Sequence, residues 1–344
     1  MEERKGFFNA QWLIGLLIVL ALGVAVVSIL LSDNFGKKGD GLGREFEYDI
    51  SALQKTNPEL ILYREITPAI DTGLPRTLKI VVDSADNIYI SSENTIASFN
   101  AAGQKRSYTA AASNNITALE MASDGSIYAG VGNQIEIFDE QGKQIDQWAL
   151  DEDKAIVSAI GVTKDFVFLA DRGNRTIQQY DHAGNKLSSF GDFVIPSPFF
   201  DLEIAPDDTI KVVNPGNHRV ETYTANGNMQ AWWGEFNCIA PEGFCGCCNP
   251  VNIALLPDSA GFIACEKGLT RVKIYDMGGK FLGFVAGTEQ FKDHDTALAK
   301  PSHSLAYSGL DAAVDSTGRV LVLDPATAEI RIFKKKTKTN DKEQ

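Results

Sequence analysis

The sequence predicts an all-β protein, a six-bladed β-propeller of four-stranded antiparallel blades, with one transmembrane helix before it. Three observations lead to this prediction: a short apolar motif recurs six times, most of its copies precede a turn that ends in glycine, and one long apolar run lies near the N-terminus. With 344 residues, 44% of them hydrophobic and 22% charged, the chain has the composition of a folded globular protein.

The apolar run extends from Leu13 to Leu31 without a charged residue, and this length is sufficient for a helix that crosses a bilayer. We therefore predict that residues 1–11 form a short N-terminal segment and that residues 12–31 form a membrane-spanning helix. A cleaved secretory signal is the alternative, but its apolar core usually has only about 7–15 residues.

Basic residues lie on both sides of the run, so the positive-inside rule is nearly balanced; they are Arg4, Lys5, Lys37, Lys38 and Arg44. An N-terminal anchor that carries a large acidic domain is most often exported. We therefore expect a single-pass, membrane-anchored protein whose propeller is periplasmic or otherwise extracytoplasmic.

Residues 32–58 contain four glycines and many charges but little periodicity, which is typical of a linker. We predict that the propeller occupies residues 59–336 and that residues 337–344 form a polar tail. The formal net charge of −13 argues against nucleic acid as a partner, because phosphate binding requires concentrated Lys and Arg.

The repeated motif is an apolar residue followed three positions later by an aromatic one. Its six copies are Ile96 to Phe99, Ile135 to Phe138, Ile177 to Tyr180, Val220 to Tyr223, Val272 to Tyr275 and Ile330 to Phe333. Five copies are followed by a turn that ends in glycine, at Gly103, Gly142, Gly184, Gly227 and Gly279. Glycine at this point supplies the positive φ that a tight hairpin requires.

Each unit also has an upstream pair of strands around an Asp-rich turn, as in Val81 to Tyr89. Four strands in a unit of about 40 residues are typical of a propeller blade. The sixth unit, Leu310 to Lys336, has room for only three strands before the tail. We predict that Glu59 to Ile66 supplies the fourth strand and closes the ring.

The segments Asp171 to Ile177 and Asn214 to Val220 resemble the signature of NHL-repeat β-propellers. The resemblance covers roughly residues 60–336 and implies the same six-bladed fold for a membrane-anchored member. It says little about activity, because propellers include enzymes, receptors and scaffolds.

The last two intervals between motif copies are longer than the first three, and insertions in repeat proteins usually fall on the functional face. The first insertion carries four of the five cysteines, Cys238, Cys245, Cys247 and Cys248. The second covers about residues 287–308. Because both connect blades, we expect them on one face, and we expect Cys265, at the end of a strand in the fifth blade, to join the other cysteines there.

Three interpretations of the cysteines remain open. Disulfides, such as Cys238 to Cys245 or a strained bridge between Cys247 and Cys248, would stabilise an exported loop. A zinc or iron–sulfur site could instead use Cys245, Cys247 and Cys248 with either Cys238 or Cys265, although the spacing matches no standard motif. The third interpretation is that the cysteines are inert and only packed.

The second insertion contains a weaker candidate for a metal site. His294 lies between Asp293 and Asp295, and His303 follows nearby. These side chains could bind zinc or calcium, whereas a solvated loop is the simpler explanation.

The sequence provides no catalytic residues, since it has no Ser-His-Asp order, phosphate-binding loop or dinucleotide fingerprint. We expect a protein-binding or assembly module of a cell-envelope complex, with a partner protein on the cysteine-bearing face, and not a stand-alone enzyme. The alternative is an electron-transfer subunit with a metal–thiolate centre. A third hypothesis, a hydrolase or lyase resembling the metal-dependent propeller enzymes, is weakened by the presence of only four histidines.

Overall fold

The computed structural model describes residues 55–298 and 309–337, except Asp151 and Asp153, and helical residues at 15–16, 18–24 and 27. Within this part of the chain, no helix has both the length and the hydrophobicity needed to cross a bilayer. The rest of the predicted membrane-spanning helix and the linker up to residue 54 lie outside the described residues, so the anchor stays a prediction.

The described residues form 24 β-strands. In the first half of the chain these are β1 (Tyr63–Asp71), β2 (Thr77–Val82), β3 (Ile88–Ser92), β4 (Thr95–Phe99), β5 (Lys105–Ala111), β6 (Ile116–Met121), β7 (Ile127–Val131), β8 (Gln134–Phe138), β9 (Gln144–Ala149), β10 (Val157–Val162), β11 (Val167–Asp171) and β12 (Thr176–Tyr180). In the second half they are β13 (Lys186–Phe190), β14 (Leu202–Ile204), β15 (Ile210–Asn214), β16 (Arg219–Tyr223), β17 (Met229–Trp233), β18 (Asn252–Leu255), β19 (Phe262–Glu266), β20 (Arg271–Tyr275), β21 (Phe281–Ala286), β22 (Asp311–Val314), β23 (Val320–Asp324) and β24 (Glu329–Lys335). One α-helix, α1 (Lys292–Leu298), lies in the second insertion.

These strands form six antiparallel sheets of four strands each within the described residues, which confirms the predicted blades. The first five sheets follow chain order, β2 to β5, β6 to β9, β10 to β13, β14 to β17 and β18 to β21. The sixth has the order β22, β23, β24, β1. Each inner strand contacts the inner strand of the next blade, and β22 contacts β2, so the ring is closed.

The strand that closes the ring comes from the beginning of the propeller, as the sequence predicted. Strand β1 pairs antiparallel with β24 and supplies the outer strand of the sixth blade. It begins at Tyr63, four residues later than predicted, because Pro58–Leu60 form a short 3-10 helix. Arg331 of β24 also forms an ion pair with Glu65 of β1 at 2.6 Å.

The repeated motif occupies the third strand of every blade. Its apolar and aromatic side chains are buried between neighbouring blades. The five turn glycines have φ between 77° and 83°, as the hairpin argument requires; they are Gly103, Gly142, Gly184, Gly227 and Gly279. Apolar clusters fill the spaces between adjacent blades, and each fully buried aliphatic or aromatic side chain contributes roughly 1.5–3 kcal/mol.

One face of the propeller carries all the connectors between blades, and we call it the loop face. Its described residues are the connectors 72–76, 112–115, 150–156 without Asp151 and Asp153, 191–201, 234–251 and 287–298 and the turns 93–94, 132–133, 172–175, 215–218, 267–270 and 325–328. Connectors and turns are joined by backbone hydrogen bonds, for example from Phe193 N–H to the Arg175 carbonyl and from Gly216 N–H to the Val194 carbonyl. Both predicted insertions therefore lie on this face, as far as the structure describes them.

Candidate functional site

The connector 234–251, which we call the cysteine loop, contains one disulfide bond. Cys238 and Cys245 are joined, in agreement with one of the interpretations drawn from the sequence. The side-chain carbonyl of Asn237 accepts hydrogen bonds from the N–H groups of Ile239 and Ala240, which fixes the turn inside this ring. The disulfide thus closes a short, hydrogen-bonded loop at the surface.

Buried polar groups of the fifth blade hold the cysteine loop from below. The Cys245 N–H donates to the carboxylate of Glu266 at 3.0 Å, and the Tyr275 hydroxyl donates to the Glu242 carbonyl at 2.9 Å. The ammonium group of Lys273 donates to the Gly243 carbonyl and lies 2.9 Å from the Glu266 carboxylate. Three contacts from one blade therefore fix the backbone around Cys245.

Burial of this ion pair makes Lys273 less basic than an exposed lysine. Neither Lys273 nor Glu266 is exposed to solvent. Burial lowers the pKa of Lys273 to about 8, although the nearby Glu266 carboxylate acts in the opposite direction. The loop backbone supplies the additional hydrogen bonds that a buried pair needs.

Cys247 and Cys248 are adjacent free thiols with very different surroundings. Cys247 is exposed and Cys248 is buried. Their sulfur atoms are 3.3 Å apart, in contact but not bonded. Donation of a hydrogen bond to Cys248, together with the charge of that neighbour, raises the pKa of Cys247.

Cys248 is the thiol that the surroundings favour in its ionised form. Burial opposes the charged form, but the nearby donor groups of Ser197, Lys267 and Cys247 and the positive charge of Lys267 outweigh it and bring the pKa of Cys248 below its ordinary value. Asn249 fixes the position of Lys267, because its side chain accepts from the Lys267 N–H and donates to the Lys267 carbonyl, both at 2.9 Å. Cys247 and Cys248 therefore lie among polar groups, and hydrogen bonds hold the backbone of one of these residues, Lys267, in place.

Cys265 does not join the other cysteines in the way we expected. It lies in β19, where the alternation of side chains places it with Ile263 on the side that faces the sixth blade. There it is fully buried, and burial raises the pKa of its thiol well above the ordinary value. Over the described residues, no group of three or more His, Cys, Asp or Glu side chains is placed to hold a metal ion.

The structure describes one of the two histidines of the second insertion, His294. His294 lies in α1 and is buried, and its Nδ1 is 2.7 Å from a carboxylate oxygen of Asp324. This contact attaches α1 to the sixth blade, and Asp295 accepts a hydrogen bond from the Thr270 hydroxyl. His303 lies outside the described residues.

A cavity of about 200 Å³ opens on the loop face at the mouth of the central channel. Its lining includes the cationic side chains of Arg76, Lys79 and Arg172 and the ring of Phe199. The Lys267 ammonium lies 5.1 Å from the centre of the Phe199 ring. Lys267, which lies near the Cys248 sulfur, therefore also contacts a ring that lines this cavity.

A charged cluster inside the channel was not predicted from the sequence. Lys79 lies 3.7 Å from Asp311 and 3.9 Å from Asp201, and deeper in the channel are Glu120 and Glu203. Burial raises the pKa of Glu120 to about 8 and that of Asp201 to about 6. Burial also raises the pKa of Asp311 and that of Glu203. The available signal was the presence of charged residues in otherwise apolar inner strands.

The loop face also exposes several large apolar side chains, Ile156, Val194, Phe236 and Ile239. The two in the cysteine loop are the most open, with Phe236 63% exposed and Ile239 88% exposed. Other exposed apolar side chains of the described propeller lie on outer strands, for example Leu187. The disulfide-closed loop thus presents apolar side chains to solvent on a fixed backbone.

Comparisons with known proteins support the architecture. No protein-family model matches the chain, and no curated protein sequence is significantly similar to it. Among solved structures, a streptogramin B lyase is 10% identical with a TM-score of 0.54 over 80% of this chain and 99% of its own. A chain of the Mitotic Checkpoint Complex is 12% identical with a TM-score of 0.54 over 86% and 97% of the two chains.

Hydrazine synthase from Kuenenia stuttgartiensis is a further neighbour, 14% identical with a TM-score of 0.52 over 78% of this chain and 97% of its own. Similarity at this level of identity indicates a shared fold and not a shared activity. The six four-stranded sheets and the closed ring of inner strands establish the protein as a six-bladed β-propeller.

Proposed function

We propose that this chain is a membrane-tethered β-propeller of the NHL-repeat type that binds a protein partner through its loop face, as an assembly module of a cell-envelope complex. The observation that carries this proposal is the exposure of Phe236 and Ile239 on a loop that a disulfide and a buried ion pair hold in place. Exposed aromatic and aliphatic side chains are typical anchors of protein interfaces.

The backbone of the cysteine loop is already ordered in the free protein, and this preorganisation supports the proposal. Binding normally costs free energy to order a loop at the interface, and a loop that is already rigid avoids most of this cost. The backbone of the cysteine loop is fixed by Glu266, Lys273 and Tyr275 before any partner arrives. One neighbour of similar fold is a chain of a named complex, the Mitotic Checkpoint Complex, which agrees with a role in an assembly.

Membrane tethering is supported by the apolar run from Leu13 to Leu31. The extracytoplasmic placement is supported by the Cys238–Cys245 disulfide, because such bonds persist mainly in oxidising compartments. Alkaline extraction of cell membranes should leave the full chain in the pellet, and protease added outside the cytoplasmic membrane should cleave the propeller. Release by alkali would contradict the tether, and protection from protease would contradict the orientation.

The electron-transfer alternative requires several thiolates at one site. The disulfide removes two of the five cysteines from a ligand set, and Cys265 lies in the core between blades. The geometry therefore favours the binding module. Iron and zinc analysis of anaerobically purified protein tests the alternative directly, since about four irons per chain would support a cluster.

The binding proposal is tested with paired charge substitutions. Phe236→Asp with Ile239→Asp should abolish co-purification of the partner from detergent-solubilised envelopes, because a charge in an apolar interface is costly to bury. Leu187→Asp is the matched control, since Leu187 is 50% exposed on an outer strand, away from the loop face. Equal recovery of the partner with both variants would contradict the proposal.

A further inference from the structure

We propose that Cys247 and Cys248 form a thiol–disulfide exchange site on the loop face, in which Cys247 reacts with a disulfide-bearing molecule and Cys248 resolves the product. The site is independent of the Cys238–Cys245 bond. It also does not depend on the proposed docking of a protein, because a small disulfide can serve as the substrate.

The two cysteines differ in solvent exposure, and this difference assigns them different roles in the exchange. Cys247 is exposed and can reach an external disulfide, whereas Cys248 is buried and can reach only its neighbour. The sulfur atoms are already in contact at 3.3 Å, so a bond between them needs an approach of little more than 1 Å. The exposed sulfur is thus the entry point and the buried sulfur the internal nucleophile.

The surroundings of Cys248 support its role as a nucleophile. Lys267 contributes a positive charge near the sulfur, and the buried Ser197 hydroxyl has no hydrogen-bond partner among the described residues. Asn249 holds the backbone of Lys267 in place through two hydrogen bonds. A thiol that serves only for packing needs neither a cation nor an orphan hydroxyl beside it.

The reaction consists of two successive thiol–disulfide exchanges. The Cys248 thiolate takes the proton of Cys247, whose sulfur attacks a substrate disulfide, forms a mixed disulfide and releases one substrate thiolate. Cys248 then loses its proton to that thiolate, attacks the Cys247 sulfur and expels the second substrate thiolate. The substrate is reduced by two electrons, and the Cys247–Cys248 pair is oxidised to a disulfide.

Because Cys247 and Cys248 are adjacent in the chain, a disulfide between them is suited to reversible exchange and not to structural cross-linking. Neighbouring Cα atoms are only about 3.8 Å apart, below the usual separation of about 4.4–6.8 Å for disulfides. Such a bond is strained, and strained disulfides are readily reduced again. A dithiol or a monothiol donor can therefore return the pair to its reduced form.

Oxidised glutathione tests the proposal on the purified, folded chain, with peptide mass spectrometry as the readout. With oxidised glutathione in large excess over reduced glutathione, which drives the strained bond to form, wild-type protein should lose two hydrogens at the Cys247–Cys248 peptide and retain much less glutathione than the Cys248→Ser variant. Cys248→Ser should accumulate one stable glutathione adduct on Cys247, and Cys247→Ser should stay unmodified because Cys248 is buried. Circular dichroism confirms that each variant is folded.

Substitutions of Lys267 change the charge near Cys248 and keep both thiols. Lys267→Met should form the mixed disulfide but resolve it at least about tenfold more slowly at neutral pH, and Lys267→Arg should restore most of the rate. A stable adduct on wild-type Cys247 equal to that on the Cys248→Ser variant would overturn the proposal. So would the absence of any reaction at Cys247 in the folded wild type.

Discussion

Lys273 and Glu266 form an ion pair of 2.9 Å that is fully shielded from solvent, and each partner also holds the backbone of the cysteine loop. Lys273 bonds the Gly243 carbonyl, and Glu266 accepts from the Cys245 N–H. A surface loop is thus positioned by charges that lie in the interior of a blade. This arrangement explains how a loop with exposed apolar side chains can remain ordered.

Replacing the buried lysine tests this support. Lys273→Met should lower the free energy of unfolding by about 1–3 kcal/mol, because it leaves the buried Gly243 carbonyl without its donor and removes one of the two cations, Lys273 and Arg271, that pair with the Glu266 carboxylate. Lys280→Met is the control, since Lys280 is exposed in the next turn and should cost no more than about 0.5 kcal/mol. Urea unfolding followed by fluorescence measures both, and equal effects would contradict a supporting role.

The disulfide should contribute measurable stability. Replacing both Cys238 and Cys245 by serine should lower the free energy of unfolding by about 2–3 kcal/mol, the value expected for closing a short loop. Cys247→Ser should leave it within about 0.5 kcal/mol, because Cys247 is an exposed free thiol. A larger loss with Cys247→Ser than with the double variant would show that the pairing is different.

The channel carboxylates should make the propeller less stable as the pH rises. The pKa of Glu120 is raised to about 8 by burial and by the charges of Asp201 and Asp311, so the folded state binds more protons than the unfolded state between about pH 4 and 8. The facing groups are Glu203, whose pKa is also raised, and the cationic Lys79. Stability should therefore be highest near the acidic end of this window and fall towards pH 8.

Glu120→Gln removes the group that titrates over this range. The variant should be more stable than the wild type at pH 8, and its stability should vary less with pH, by up to about 1.4 kcal/mol for each pH unit. Thermal melts from pH 5 to pH 9 provide the measurement. An unchanged pH profile would show that Glu120 ionises normally in the channel.

The ion pair between Arg331 and Glu65 joins the two ends of the propeller and should stabilise the closed ring. Both side chains are mostly buried, and Arg331 also packs on the rings of Phe291 and Phe333. Arg331→Met should cost about 2–3 kcal/mol and increase amide hydrogen exchange in β1. Lys334→Met, on the same strand but exposed, should change neither quantity.

The blades could be predicted because each one repeats the same local pattern. The apolar and aromatic residues of the motif, such as Ile96 and Phe99, pack between blades, and the glycine after them permits the hairpin. The strand that closes the ring was also predictable, because the sixth unit lacked one strand and an alternating segment preceded the first. Local sequence was sufficient for these features.

The candidate site was less predictable, because it depends on contacts between distant residues. The Cys238–Cys245 disulfide was among the alternatives drawn from the sequence, but the hydrogen bond from the Cys245 N–H to Glu266, in another strand, was not predicted. Cys265 was expected at the loop face, but strand alternation directs its side chain into the core. The channel cluster combines Lys79 and Asp311, which only closure of the ring brings together.

Photo-crosslinking in intact cells, with a photoreactive amino acid placed at Ile239 on the loop face or at Leu187 on an outer strand, tests the binding role of the loop face most directly. We expect a discrete, reproducible protein adduct from position 239 and no such adduct from position 187. Equal adducts from both positions, or an adduct from position 187 alone, would contradict a binding role for the loop face.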